Sequence, residues 1–416
     1  MNERFSPSAA GRLPLGESRR EIAFRAQQQP LPGTETEEWR YSPIGDLGYD
    51  ELGPSLAPPS SPGPDPLESV VGERAATIVV LDGWVVDVAI EAGWADKGLE
   101  ITADEARRPS LGDGTETLFD LLHRAFSPAA VHIRTSAGLT VREPIVILNH
   151  HASAGIASFP HVLVECGEAS DLAVVECTTS VAGHGLSVPV TELLVGQAAR
   201  LRYLGIQQHD RSHWQVGRQL SEVGGQATLQ SGLAAFGGRY ARLRTDSHLS
   251  GRGASAELVA AYYGDGEQIH DFRTFQHHDD RDTRSDLLFK GSQDDSSGSI
   301  YSGLIHIHPG GGGSNAFQTN RDVKLSPEAW AWSVPNLEIE NNDVHCSHAS
   351  TVSPVDEDQQ FYLQSRGVPP VVADRLIMAG FFDEAINRLP VAPAREEVRR
   401  LVAEKLDRRL ERVRAS

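Results

Sequence analysis

Cysteine is scarce in this sequence. Among 416 residues there are three, Cys166, Cys177 and Cys346. Three cysteines at these separations do not form the disulfide framework of a small secreted protein. Long apolar runs are also missing, since no segment reaches the length of a bilayer span and Met1–Arg4 leads into no signal-peptide core. We therefore expect a cytoplasmic protein with reduced thiols.

Positive charge is in deficit. Lys and Arg number 38 against 57 Asp and Glu, a net charge of -19. This balance argues against nucleic acid or an anionic membrane as the main partner. Aromatic residues make up 6% of the chain, whereas glycine is abundant at 39 residues. That mixture suits many short strands and turns better than a large helical core.

The signatures of common enzyme classes are absent too. The sequence has no Gly-x-Ser-x-Gly nucleophile elbow and no Rossmann fingerprint between a strand and a helix. The glycine run Gly310–Gly313 lacks the Gly-Lys-Ser/Thr ending of a phosphate loop, and no helical pattern follows it closely. We interpret this run as a flexible loop between strands and identify no ATP site.

What the chain does contain, from about Val131 to Val334, is a series of short strand patterns interrupted by glycine. A loose motif, glycine followed by Ala or a polar residue, repeats along this stretch at Gly167–Ala169, Gly196–Ala198, Gly225–Ala227 and Gly253–Leu258. Irregular repetition of strand–turn units without helices predicts a solenoid of strands or a large sandwich. The pattern does not choose between the two.

The region before this core mixes helices and strands. Helices are predicted around Ser18–Phe24 and over Leu118–Phe126, and two strands are predicted about the turn Asp82-Gly83. The proline-rich stretch 53–66 is interpreted as an extended linker or mobile loop. Trp39-Arg40-Tyr41 is interpreted as an aromatic anchor that holds the N-terminal arm on the domain.

After Val352 the periodicity becomes helical. One helix is predicted to end at Gly367, a second to open at Pro369-Pro370, and a third to begin near Ala394. The arginine-rich polar face of the third is expected to be solvated. These changes divide the chain into an N-terminal α/β region (1–125), a core (126–350) and a C-terminal helical domain (351–416).

One short stretch near the end of the core contains residues suited to soft metals. If Val344–His348 is extended, Cys346 and His348 point to the same side, whereas His345 points away. A thiolate and an imidazole on one face form half of a soft-metal site. Cys166 and Cys177 lie far upstream, so the neighbouring sequence offers no second half; the alternative is ordinary packing of Cys346 beside a surface imidazole.

The same stretch resembles the C-terminal signature of the SufB/SufD family, scaffold components of iron–sulfur cluster assembly. The resemblance is dense over 285–390 and thinner over 120–284. At the other end, Glu37-Glu38-Trp39-Arg40-Tyr41 resembles the N-terminal signature of the SufD branch. The segments that carry the C-terminal resemblance are Tyr301–Ile305, Gln318–Arg321, Pro335–Ile339, Asp343–His348 and Phe361–Gly367.

The resemblance implies a mainly β protein, a right-handed parallel β-helix flanked by N-terminal and C-terminal helical regions. It implies pairing with a SufB-like subunit through the ends of the two β-helices. His348 stands where the SufD branch places its interface histidine, and Cys346 is the family's cysteine. An iron–sulfur cluster or iron would then be held transiently at the interface, with no stable cofactor on the isolated chain. A homodimer of the isolated chain is also a reasonable expectation.

The family further implies a non-catalytic subunit whose ATP hydrolysis is supplied by the ATPase SufC, docked on the C-terminal helices. In this chain that region is Asp356–Leu389. The family's complexes are also linked to a flavin, for which we identify no residues. The expected docking contacts are Phe361, Tyr362, Arg366, Phe381 and Phe382.

Two alternatives stay open. A SufB-type scaffold would be expected to carry more of the cluster ligands. A β-helix polysaccharide lyase-like enzyme would use converging carboxylates with bound calcium, here Asp279, Asp280 and Asp282. His306 and His308 share a strand face, which we interpret as a solvated surface.

Overall fold

The computed structural model describes residues 2–60, 71–105 and 116–415. Its α-helices are α1 (Pro7–Ala10), α2 (Gly16–Gln27), α3 (Leu118–Phe126), α4 (Glu357–Ser365), α5 (Pro370–Ile386) and α6 (Arg395–Ala415). The strands, in chain order, are β1 (Gly53–Pro54), β2 (Ala76–Leu81), β3 (Trp84–Ile90), β4 (Leu99–Asp104), β5 (Ala130–Thr135), β6 (Ile145–His151), β7 (Ile156–Ser158), β8 (His161–Cys166), β9 (Asp171–Ser180), β10 (Gly185–Ser187), β11 (Val190–Val195), β12 (Arg200–Gln208), β13 (His213–Val223), β14 (Thr228–Ala235), β15 (Tyr240–Leu249), β16 (Ser255–Gly264), β17 (Ile269–His278), β18 (Arg284–Gln293), β19 (Gly298–Ile307), β20 (Asn315–Lys324), β21 (Trp330–Ile339) and β22 (His345–Pro354).

The strands form two sheets between which the chain alternates. Sheet A has the order β21-β19-β17-β15-β13-β11-β8-β5-β4, and sheet B the order β22-β20-β18-β16-β14-β12-β9-β6-β2-β3. Neighbours pair in parallel, except for the antiparallel pairs β2–β3 and β4–β5 at the N-terminal end. The result is a parallel β-helix of about eight turns over the described chain. The predicted solenoid is therefore confirmed, and the sandwich is wrong.

The repeated glycine motif marks one corner of the β-helix. Residues with positive φ stack there from turn to turn, at Ala169, Ala198, Gln226, Gly253 and Asp282. In each turn the N–H of this residue donates to a carbonyl of the next turn, as from Ala198 to Gly225 at 2.9 Å. A left-handed residue is needed to reverse the chain here, and glycine, Asn and Asp adopt it at least cost. Gly253 meets this requirement directly, whereas Gly167 and Gly196 allow a close approach to the preceding turn: an added Cβ would lie 2.5 Å from the Thr135 carbonyl oxygen and 2.7 Å from that of Cys166.

The space between the sheets, the lumen, holds an aliphatic core for most of its length. Residues such as Ile133, Leu172, Leu201 and Leu229 are fully buried in it. Toward the C-terminal end the lumen becomes polar, with Gln318, Asn320 and Asp322 of β20 all buried. Buried polar side chains are stable only when they are hydrogen-bonded. Asp322 meets this condition with Tyr262, Asn320, Gln293 and Ser299 as donors.

The C-terminal helices cover the outer face of sheet B. Met378, Phe382 and Ile386 of α5 pack with Val175 and Tyr263 in one apolar cluster. The basic face of α6, expected to be solvated, instead contacts the corners of the β-helix. Lys405 lies 2.6 Å from Asp265, and Arg412 lies 2.7 Å from Asp294. Burial lowers the pKa of Lys405 to about 8, and Asp265 opposes that shift.

The N-terminal segment covers the outer face of sheet A. Trp39 is buried beside Phe119 of α3, and the Arg242 guanidinium lies 4.1 Å from the Trp39 ring centre. Tyr41 stacks on Trp332 of β21 with ring centres 4.4 Å apart. These contacts confirm the predicted aromatic anchor.

Several boundaries differ from the simple division of the sequence. The N-terminal region contributes β2 and β3 to sheet B and β4 to sheet A. β22 continues to Pro354, beyond the expected end of the core at residue 350. In the proline-rich stretch, Gly53–Pro54 pairs with β7, while 61–66 lies outside the described residues. Among the helices described, none is long and apolar enough to cross a membrane.

Candidate functional site at the open end of the β-helix

The C-terminal end of the β-helix is open. β21 and β22 are the terminal strands of sheets A and B, and within the described ranges neither has a strand neighbour on its outer edge. At the opposite end the antiparallel strands β3 and β4 are the last strands of sheets B and A. Apolar side chains are exposed along the open end, namely Trp332, Val334, Ile339 and Val352, each between 41% and 47% accessible.

Cys346 and His348 lie side by side on this last strand. β22 pairs in register with β20, which places Cys346 opposite Ala316 and His348 opposite Gln318. Ala316 and Gln318 are buried in the lumen. Both candidate ligands therefore belong to the lumen-facing side of β22, as the alternation of the strand predicts.

The two side chains differ in exposure. Cys346 is half-buried and packs against Ile305, Ile307 and Ala316, whereas His348 is exposed to solvent at the open end. Burial raises the pKa of the Cys346 thiol, while a hydrogen bond from the backbone of Ala316 acts in the opposite direction. The thiol is thus protonated near neutral pH, and a metal ion would have to displace its proton.

Gln318 lies directly next to His348 in the register and was not identified from the sequence as a site residue. It is 2% exposed, yet neither atom of its amide has a hydrogen-bond partner within the described part of the chain. An unpaired buried amide is costly. The end of the lumen therefore presents an unsatisfied donor and acceptor beside the Cys346–His348 pair.

The pair is a half-site. In the described residues, no group of three or more potential ligands within 4.8 Å of one another includes Cys346 or His348. Cys166 is buried in the aliphatic lumen and Cys177 beneath the C-terminal helices, many turns away. Burial raises the pKa of both thiols. Neither cysteine can join Cys346 around one ion.

The five expected docking residues fall into different environments. Phe361 and Tyr362 of α4 are 75% and 57% exposed, and Arg366 lies over the Tyr362 ring at 5.2 Å. Phe381 is half-buried, with the Lys290 ammonium 4.5 Å from its ring centre. Phe382 is fully buried in the core, so the expectation of a direct contact through Phe382 is wrong.

A cleft of about 890 Å³ separates α4 and α5 from the last turns of sheet B. Lys290, Arg321, Tyr362 and Phe381 are among its lining residues. Tyr362 of α4 lines this cleft, and the neighbouring Phe361 is also exposed, so α4 presents accessible aromatic side chains beside it.

The three carboxylates of the lyase alternative do not converge. The Asp279 carboxylate is hydrogen-bonded to His248, Asp280 accepts from the backbone N–H of Arg281, and Asp282 binds Arg252 at 2.8 Å. Asp282 is itself one of the left-handed corner residues. Asp280 and Asp282 therefore serve the corner of a turn and Asp279 pairs with histidines, an arrangement that does not support a calcium-dependent catalytic cleft at these residues.

The glycine run Gly310–Gly313 connects β19 to β20 and is followed by a strand, so the interpretation as a loop between strands is confirmed. Gly313 continues the corner column, with φ of 80°.

Comparison with known proteins decides the family. The family described as "SUF system FeS cluster assembly, SufBD core domain" matches residues 147–381, more than half of the chain. The chain belongs to the SufBD family. An iron-sulfur cluster assembly SufBD family protein of Mycobacterium tuberculosis is 30% identical over 309 residues, which cover 72% of this chain and 77% of the relative.

Relatives named SufD place this SufBD protein in the SufD branch. The iron-sulfur cluster assembly protein SufD of Bacillus subtilis is 27% identical over 68% of this chain and 66% of its own length. The protein of the same name from Escherichia coli is 24% identical over 90% of this chain and 89% of its own length.

Proposed function

We propose that this SufBD-family chain is a non-catalytic, SufD-type assembly subunit that pairs with a SufB-like subunit through its open end. The observation that carries the proposal is a half-site on a strand whose outer edge has no strand neighbour within the described residues. Cys346 and His348 occupy the terminal strand of the β-helix, and the described chain supplies no third ligand to them. A second chain added to this edge brings both backbone partners and the missing ligands.

The surface of the open end suits a protein partner. Trp332, Val334 and Ile339 of its terminal strand β21 are all exposed, and exposed apolar side chains concentrated in one region commonly mark a protein interface. Iron or a growing cluster is in this view the cargo of the interface and not a resident cofactor. His348 supplies an accessible imidazole, and Cys346 supplies a thiolate once metal displaces its proton.

We further propose that α4 and the cleft beside it bind a SufC-like ATPase, in keeping with a cytoplasmic complex. Phe361, Tyr362 and Arg366 are exposed and form the contact, and Phe381 lies at the base of the cleft. Aromatic and Arg side chains of this kind dominate the binding energy of many protein interfaces.

Co-purification tests the cluster role. The chain is expressed with SufB-type and SufC-type partners as the native sequence, as His348→Ala and as His345→Ala. His345 is the matched control because it is exposed on the same strand and points to the opposite face. We expect all three complexes to assemble, with iron and acid-labile sulfide reduced in His348→Ala alone. Equal iron in all three would reduce His348 to a structural residue, and failure of the native chain to form a complex would refute the pairing.

The docking surface has its own test. Phe361→Ala combined with Tyr362→Ala is expected to release the SufC-type subunit and to retain the SufB-type subunit. Phe24→Ala is the control, since Phe24 is 57% exposed on α2, at the other end of the chain. If the double variant retains the ATPase, the ATPase binds at another surface of the chain.

A further inference from the structure

The outer face of sheet A carries a column of imidazoles. His248, His277 and His306 occupy the same register position of β15, β17 and β19. The ring centres of His248 and His277 are 4.4 Å apart, and those of His277 and His306 are 5.8 Å apart. The parallel β-helix creates this column, because identical positions of successive turns stack one strand spacing apart.

A fourth imidazole joins the column from the end of β19. His308 lies two residues after His306, on the same side of the chain, and the two ring centres are 3.8 Å apart. The His277 and His308 ring centres are 5.8 Å apart. Potential ligand atoms of His277, His306 and His308 all lie within 4.8 Å of one another. Three imidazoles at that spacing can bind a single ion.

Carboxylates surround these imidazoles. Asp279 lies 3.2 Å from Nε2 of His308 and 3.2 Å from Nδ1 of His248. Glu340 lies 2.8 Å from Nε2 of His306. Histidine ligands in metal sites commonly use one ring nitrogen for the ion and the other for a carboxylate that fixes the ring. In such an arrangement the other ring nitrogen of His306 and of His308 would bind the ion.

The cluster is open to small ions but is not fully solvated. The side chains of His306 and His308 are 17% and 34% exposed, and that of Asp279 is 32% exposed. An ion can therefore enter from the outer surface, while the ring positions are held by neighbouring strands.

We propose that His277, His306 and His308 bind one divalent first-row transition-metal ion, with Asp279 and Glu340 orienting the imidazoles. Three imidazoles favour ions such as Zn²⁺ or Fe²⁺ over Ca²⁺ and Mg²⁺, which prefer oxygen ligands. A water molecule would complete the coordination, as it does in other three-histidine sites.

This site is separate from the Cys346–His348 pair, and it goes beyond the proposed function. His306 and His308 alternate along the chain with Ile305 and Ile307, which contact Cys346 inside the lumen. The imidazole cluster is thus on the outside of the wall whose inner side contacts Cys346. The outer site is complete within one chain, whereas the inner pair needs a partner.

The test uses the isolated full-length chain in a Cys346→Ser, His348→Ala background, so that ions bound at the open end are not counted. Zn²⁺ is titrated by calorimetry with chelator competition, and Co²⁺ is titrated by its visible absorption. We expect one equivalent of each ion, and loss of this stoichiometric site in His306→Ala. Asp279→Asn is expected to weaken Zn²⁺ binding by about tenfold to a hundredfold, as for other residues that orient metal ligands.

His132→Ala is the matched control, because His132 also lies on sheet A with a carboxylate, Glu165, 3.2 Å away. It should bind Zn²⁺ like the background chain. His277→Gln, compared with the background by thermal unfolding without metal, separates loss of ligands from loss of fold. Equal Zn²⁺ affinity in the background and in a folded His306→Ala chain, or Mg²⁺ competing equally with Zn²⁺, would overturn the proposal. Either result leaves the partner-dependent iron of the SufB-type complex unaffected, so the two proposals fail independently.

Discussion

At the scale of single residues, the open end places an accessible metal ligand beside a buried amide that lacks a hydrogen-bond partner in the described chain. His348 is exposed, Cys346 is half-buried, and the Gln318 amide beside them is buried without a partner in the described chain. The alternation of β22 predicts which side chains share a face. It does not predict the neighbour on β20, because register between strands 30 residues apart is set by the corners and not by either strand alone.

Gln318 provides a residue-scale prediction. Gln318→Met should raise the free energy of unfolding of the isolated chain by about 1 kcal/mol, because it removes an unsatisfied buried amide. The same change should lower the iron retained by the complex if that amide serves the interface. Denaturant unfolding and iron content measure the two effects.

Asn320→Leu is the control for Gln318→Met. The Asn320 amide donates to Asp322 at 2.9 Å and to Ser333 at 3.1 Å, so its removal should destabilise the chain by about 1–3 kcal/mol. If Gln318→Met destabilises the chain to a similar extent, the Gln318 amide is satisfied in solution and the prediction is wrong.

At the scale of elements, local sequence signals predict the bounds of the helices well. α3 occupies Leu118–Phe126 as predicted, and α5 opens at Pro370. A cap or a proline at a helix start acts through adjacent residues, so one sequence reveals it. The ion pairs of α6 with Asp265 and Asp294 join residues more than 100 positions apart, and no local pattern shows them. The imidazole column was missed for the same reason: His248, His277 and His306 meet through the spacing of the turns.

The corner column leads to an element-scale prediction. Ala198 has φ of 57°, a conformation that costs a residue with a side chain about 1–2 kcal/mol. Ala198→Gly should therefore raise the free energy of unfolding by roughly 1 kcal/mol, after the greater chain entropy of glycine is subtracted. Gln197→Gly, at the exposed neighbouring position, should give no gain. Equal effects of the two changes in denaturant unfolding would contradict the strain argument.

The contact of α6 predicts a pH dependence. The folded-state pKa of Lys405 is about 8, lowered by burial, whereas the ordinary value is 10.5. Between these values the unfolded chain binds the proton more readily than the folded chain, so this group's contribution to stability increases as pH rises through the window. The difference in unfolding free energy between the native chain and Lys405→Met should therefore shift in favour of the native chain from pH 7.5 to 9.5. A difference that stays constant would refute this.

At the scale of the whole molecule, the two ends of the β-helix are unlike. Antiparallel strands end the two sheets at the N-terminal end, whereas the parallel strands β21 and β22 end them at the C-terminal end, where Trp332, Val334, Ile339 and Val352 are exposed. Edge strands of this kind pair with other chains unless they are protected. We expect assembly at the C-terminal end, because the exposed apolar side chains of β21 and β22 and the half-site lie together there.

Self-association of the isolated chain should follow from this asymmetry. We predict a concentration-dependent homodimer, measured by sedimentation, that Val352→Lys at the open end weakens. Val86→Lys is the counterpart at the N-terminal end, since Val86 on β3 is similarly exposed. A dimer weakened by Val86→Lys and unchanged by Val352→Lys would place self-pairing at the wrong end.

Amide hydrogen exchange of this chain, alone and mixed with a SufB-type partner, tests the central claim most directly. We predict that exchange slows in β22 and β21 on mixing, because their free edges gain hydrogen bonds, while exchange in β3 stays unchanged. A stable complex in which β22 exchanges as fast as in the isolated chain would show that the partner binds elsewhere. The half-site at Cys346 and His348 would then have no partner to complete it.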